Sequence, residues 1–169
     1  MIKIDIYSDT ICPWCYIGKR KLKEAIDFFP KIDFDIIWRP YQLNPNMPVK
    51  GIDRKKYLSQ KFGSLENAKK IYEIINYSGK KTGIFFQFDK ITKTPNSFAS
   101  HKLLAMAYKK GLQDQIIESL FYSYFIEGKD IGKIEELITI GKQYDLDENQ
   151  MNEYLTSNED REELLKEEF

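Results

Sequence analysis

Ser8-Asp9-Thr10-Ile11-Cys12-Pro13-Trp14-Cys15-Tyr16 holds both cysteines of the 169-residue chain. Before it, Ile2, Ile4 and Ile6 alternate with Lys3, Asp5 and Tyr7, the pattern of a short strand. Ser8-Asp9-Thr10 makes a turn, and Pro13 suits the first position of a helix, where its missing N–H is no loss. Cys12 is then the cap residue, with free backbone N–H groups near its sulfur, a placement that favours a thiolate. Further on, Cys15, Gly18, Leu22, Ala25, Ile26 and Phe29 recur at helical spacing up to Pro30. This stripe predicts a buried Cys15 and a Cys12 at the exposed tip.

Downstream, Ile32, Phe34, Ile36 and Trp38 alternate with Asp33, Asp35, Ile37 and Arg39 and predict a second strand that stops at Pro40. Strand, helix and strand in so short a span make a βαβ unit with parallel strands and a right-handed crossover. The cysteines then lie at the carboxyl end of the first strand, where ligands gather in open α/β sheets.

After the loop from Tyr41 to Ile52, the sequence predicts helix after helix. Asp53, Ser64 and Asp147 read as caps, and Gly79 with Gly83 as a helix end. Pro95-Asn96-Ser97 opens a helix to Gly111, and Ile116, Ile117, Leu120, Phe121, Tyr124 and Phe125 mark one that ends near Gly128. Ile134, Leu137, Ile138 and Gly141 mark another, and an acidic helix is expected from about Glu159 to the end. The fold class is therefore α/β: residues 1–45 form the βαβ unit, 46–157 a helical domain, and 158–169 begin a returning helix.

Lys plus Arg equals Asp plus Glu at 26 each, so no net field draws the chain to nucleic acid or an anionic membrane. The amino terminus lacks the continuous apolar stretch of a signal peptide, and no run approaches the ~18 apolar residues of a membrane span. A cytoplasmic location is expected, where disulfides are transient and catalytic or redox-sensing.

Two residues between cysteines at a helix start allow a reversible disulfide, with one sulfur attacking a mixed disulfide formed on the other. A structural zinc site needs about four N or S ligands, and the chain offers two cysteines and one histidine. A buried, inert cysteine pair is the other plain reading; Pro13 and the expected asymmetry of exposure weigh against it. Histidine roles all fall on His101. It shares a helical face with Phe98, Ala105 and Tyr108, which predicts a hydrogen-bonded structural histidine. The cluster Phe85, Phe86 and Phe88 reads as core.

Several stretches together resemble the DsbA-like thioredoxin family, specifically its cytoplasmic FrnE-like branch. They are Asp9-Thr10-Ile11-Cys12-Pro13-Trp14-Cys15-Tyr16-Ile17-Gly18, Trp38-Arg39-Pro40-Tyr41-Gln42-Leu43-Asn44-Pro45 with Asn46-Met47-Pro48, Pro95-Asn96-Ser97 with Ser100-His101-Lys102-Leu103, and the run Leu120 to Ile131. The resemblance implies a thioredoxin fold interrupted by a helical domain, and disulfide oxidoreductase or isomerase activity. It implies Cys12 as attacking and Cys15 as resolving cysteine, with Pro13 and Trp14 beside them, and it brings His101 near the site. Glutathione-dependent isomerases and transferases of the same superfamily generally carry Ser at the Cys12 position, so the cysteine pair here points to dithiol chemistry.

In the family, a cis-proline loop, two antiparallel strands and a closing helix follow the helical domain. Here no proline follows Pro95, so the thioredoxin part is expected to be incomplete and the first strand to keep an open, apolar edge. The expected function is thiol–disulfide exchange with protein or small-molecule thiols, using the redox-active disulfide as the only cofactor and glutathione as a candidate co-substrate. A second copy or another chain would complete the sheet. The competing readings are a glutathione-dependent isomerase or transferase, and a partner-completed fragment that only binds.

Overall fold

The computed structural model describes residues 1–160 together with Glu162 and Leu164. β1 (Ile2–Ser8) and β2 (Phe34–Pro40) run parallel, in a register that sets Ile2 beside Phe34 and Ser8 beside Pro40. They are joined by α1 (Pro13–Asp27), whose first residue is the proline the sequence put there. Among the described residues β1 has this one hydrogen-bonded neighbour.

The helical part comprises α2 (Arg54–Phe62), α3 (Leu65–Lys80), α4 (Phe98–Tyr108), α5 (Gln113–Tyr122), α6 (Ile134–Lys142) and α7 (Glu148–Thr156). Asp53, Ser64 and Asp147 accept hydrogen bonds from the backbone N–H of Lys56, Asn67 and Gln150, so all three expected caps form. The helix expected to end at Gly128 does so, but its last turn, Ser123–Glu127, widens into a π turn.

Four expectations need correction. The segment after Ile52 is not helical throughout: β3 (Ile52–Asp53) and β4 (Lys93–Thr94) pair antiparallel. Gly51 turns into β3 at φ 69°, and a Cβ there would meet the Thr94 carbonyl at 2.6 Å. Gly79 lies inside α3, because the Phe86 ring packs where a side chain would stand. On α1, Gly18 and Ala25 are exposed and Phe29 is 54% exposed; the buried residues are Tyr16, Ile17 and Lys19. The helical layer covers α1 from the side, so the stripe was read on the wrong face. Ile37 and Trp38 are both buried, so β2 is covered on both faces rather than one. Most of the expected acidic helix lies outside the described residues.

One continuous core joins the two parts. Ile11, Tyr16, Ile17 and Trp38 pack with Phe121, Tyr124 and Phe125 of the α5 segment and with Phe86. The Tyr16 ring stacks on Phe121 at 4.9 Å between centroids and meets Phe86 edge-on at 6.2 Å. Phe86 and Phe88 are therefore core, while Phe85 is exposed.

Candidate active site

The turn from β1 into α1 is pinned from three sides. Its Thr10 hydroxyl lies 2.7 Å from the Ser100 hydroxyl, which donates to the Ser97 carbonyl at the start of α4. Asp9 is 1% exposed and accepts from the backbone N–H of Ile11 at 3.3 Å and of Leu43 at 2.7 Å, tying the turn to the loop after β2. Behind the turn, α1 is anchored to α5. Glu118 accepts from the Tyr16 hydroxyl at 2.8 Å and from Arg20, and the buried Lys19 ammonium lies 2.8 Å from Asp114. The cysteine pair is thus held on a braced helix start rather than on a free loop.

Cys12 occupies the N-cap of α1, in extended conformation, and Cys15 lies in its first turn. Both are free thiols, and both are half-buried. This corrects the expectation of an exposed Cys12 and a buried Cys15. Their difference lies in what each faces. Cys12, with Ile11, Pro13 and Trp14, lines a cavity of about 270 Å³ closed by Arg54, Tyr57 and Tyr72. Cys15 faces inward to Ser8 and Asp9, and its thiol packs against the core.

The two sulfurs are hydrogen-bonded to each other and titrate as a pair. The Cys12 thiol donates to the Cys15 sulfur, and this bond is the main cause that brings Cys15 down to about 6, against the opposing effect of burial. The same bond, followed by burial, pushes Cys12 well above the ordinary thiol range. The first charge belongs to the pair: one proton is shared between the two sulfurs, and the bond that lowers Cys15 raises Cys12. The helix start still favours charge on Cys12: the backbone N–H groups of Cys15 and Trp14 act to lower its pKa, although its side chain makes no cap hydrogen bond. Shifting the shared proton across the S–H···S bond transfers the charge to Cys12, where those N–H groups hold it.

His101 is 2% exposed, and its Nε2 lies 3.6 Å from Asp9 Oδ1. Neither ring nitrogen has a hydrogen-bond partner among the described residues, which corrects the expectation of a hydrogen-bonded histidine. The ring lines a second cavity of about 260 Å³, on the side away from Cys12, with Trp38, Tyr108 and Leu164. Asp9 is the residue that reading the motif overlooked. A carboxylate three positions before a capping cysteine carries no periodic signal, and only the fold reveals that it is buried between Cys15 and His101.

Arg54 was also not singled out. It opens α2 yet is 8% exposed, because its guanidinium reaches back over β4 to Thr94.

A family model for the DsbA-like thioredoxin domain matches residues 3–168. The chain belongs to this DsbA-like family. An uncharacterized protein of Bacillus subtilis, YwbO, is 26% identical over 153 residues, spanning 86% of this chain and 68% of its own. A probable DsbA oxidoreductase from Streptomyces coelicolor superposes with a TM-score of 0.89 at 22% identity, over 99% of this chain and 74% of that one. The cytosolic disulfide reductase DsbM from Pseudomonas aeruginosa does so with a TM-score of 0.68 at 16% identity, over 99% and 75%. The DsbA-like fold carries a helical insertion, and this chain shares both. Among the described residues no helix is long and apolar enough to cross a membrane.

Proposed function

We propose that the chain is a dithiol–disulfide oxidoreductase in which Cys12 attacks and Cys15 resolves. One observation carries the assignment of roles: Cys12 opens on a cavity at the helix start, while Cys15 faces Ser8 and Asp9. A substrate sulfur entering that cavity meets Cys12 first.

In the reducing direction, the Cys12 thiolate attacks one sulfur of a disulfide. The Cys12–substrate bond forms, the substrate S–S bond breaks, and the departing thiolate takes up a proton. Cys15 then attacks the Cys12 sulfur, the intramolecular disulfide closes, and the second substrate thiolate leaves and is protonated. Two electrons pass from the cysteine pair to the substrate. With a dithiol substrate the same steps run backwards. Pro13 fixes the helix start and Trp14, 48% exposed, flanks the approach to Cys12. The disulfide itself is the redox group, and likeness to the cytosolic disulfide reductase DsbM supports the same compartment here.

The test is single-cysteine variants with a model disulfide. Cys12→Ser abolishes exchange, and Cys15→Ser accumulates a mixed disulfide through Cys12, read by mass spectrometry. Full turnover by Cys12→Ser overturns the assignment.

A further inference from the structure

Arg54 is a guanidinium that is 8% exposed and has no carboxylate partner among the described residues. Its Nη1 donates to the Thr94 hydroxyl at 2.9 Å and to the Tyr124 hydroxyl at 3.3 Å, and its Nη2 to the Tyr72 hydroxyl. All three acceptors are neutral, and burial raises the pKa of both tyrosines, which keeps them so. The rings of Tyr57 and Tyr72 lie 5.6 and 5.5 Å from its central carbon and supply π faces, not a counter-charge. Its Nε is buried with no acceptor among the described residues.

A buried cation in that condition is expensive, because it has lost water without gaining an anion. Burial alone does not say what compensates it; its position does. Arg54 lines the same cavity as Cys12, and Lys61 stands on that wall too. The cavity is otherwise apolar and aromatic, with Ile11, Trp14, Phe62 and Ile75 on it. At about 270 Å³ it is near the lower end of small-molecule pockets.

We infer that the cavity beside Cys12 takes a small disulfide or thiol bearing a carboxylate, which pairs with Arg54 while its sulfur meets Cys12. The inference rests on the oxidoreductase reading and names its substrate class. The carboxylate makes no bond change. It fixes the substrate so that the sulfur lies at the end of α1, and the exchange then balances as written above. A planar guanidinium with a free N–H is suited to this, since it can add a carboxylate without giving up its three hydroxyl contacts.

The experiment needs no disulfide turnover. In Cys15→Ala protein, where Cys12 is the single thiol, alkylation by iodoacetate and by iodoacetamide is timed under identical conditions. The ratio of anionic to neutral rate falls about tenfold in Arg54→Gln and is retained in Arg54→Lys. A ratio unchanged by Arg54→Gln overturns the inference. Should Arg54→Gln fail to fold, protection decides it: adipate slows iodoacetamide at Cys12 in protein with Arg54 intact, and 1,6-hexanediol does not. Equal protection by the two, or none by either, overturns it. Turnover separates the two readings. Reduction of 3,3′-dithiodipropionate and of hydroxyethyl disulfide at equal kcat/KM defeats the carboxylate assignment alone. Failure with every disulfide defeats the oxidoreductase reading, and the alkylation ratio still decides the anion site.

Discussion

Asp9 Oδ1 and His101 Nε2 lie 3.6 Å apart, both side chains closed to solvent, behind the sulfur of Cys15. Asp9 receives two backbone N–H groups, so its carboxylate is held in place without the histidine. Its negative charge opposes a thiolate on Cys15, partly offsetting the stronger bond from Cys12.

Replacing that charge moves the sulfur titration in a defined direction. In Asp9→Asn the like charge is gone, so the first thiolate of the pair forms at lower pH than in the parent protein. Ultraviolet absorbance of the thiolate follows it, and an upward shift contradicts the geometry. His101→Ala leaves Asp9 without its aromatic neighbour and opens space against the second cavity. That truncation costs about 1–3 kcal/mol of stability, read from urea unfolding.

The same pair links redox state to stability. In the folded reduced protein Cys15 ionises at about 6, whereas an unfolded thiol does so at ~8.5. The unfolded chain therefore binds more protons between these values, and the stability of the reduced form rises with pH across that window. The contribution is complete above ~8.5 and is lost as pH falls through about 6. Cys12, pushed upward, acts in the opposite sense above ~8.5, where the unfolded thiol ionises and the folded one does not. The disulfide form has neither group to titrate. Urea midpoints of the two forms between pH 5 and ~9 should diverge in favour of the reduced form and then converge; parallel curves would rule this out.

A single glutamine guards the flank of the sheet. Gln113 Oε1 accepts from the Trp38 N–H at 2.8 Å, and its Nε2 donates to the Trp38 carbonyl at 2.9 Å. Gln113→Ala leaves both backbone groups buried without partners and should cost about 2–4 kcal/mol. Gln113→Leu restores the volume and not the bonds, so recovery by leucine would show that packing dominates.

Gly79 tests the packing of α3 on the loop beyond it. A Cβ at this position would stand 2.5 Å from the Phe86 ring. Although alanine is the better helix former by about 1 kcal/mol, Gly79→Ala should destabilise by about 1–3 kcal/mol. Thermal unfolding gives the sign directly.

What the sequence made legible follows from what repeats. The parallel pair, the proline-started helix and the caps at Asp53, Ser64 and Asp147 each rest on a period or a local bond, and each is present. The cysteine motif likewise marked the start of α1, where both thiols sit. The face of α1 was misread because Lys19 and Arg20 are drawn inward by Asp114 and Glu118, nearly a hundred residues away. Such ion pairs override a stripe of apolar side chains and leave no periodic trace. β3 and β4 are two residues each, too short for any alternation to register. Asp9 and Arg54 were missed for a related reason: each is a charged residue beside an element's end that reads as surface until the fold closes over it.

Gln113 also gives the sheet a handedness of access. The N–H and C=O of Trp38 that point away from β1 are already engaged, so β2 has no free backbone groups there to offer another strand. A strand added on that side would have to displace Gln113 at Trp38, whereas the other border of β1 has no hydrogen-bonded strand among the described residues. Because β1 runs straight into Ser8, Asp9 and the cysteine turn, any chain laid along that border would end beside the reacting sulfurs. A side-chain amide some 75 residues downstream of the strand thus directs where a newcomer can join, and the permitted place is the one next to the chemistry.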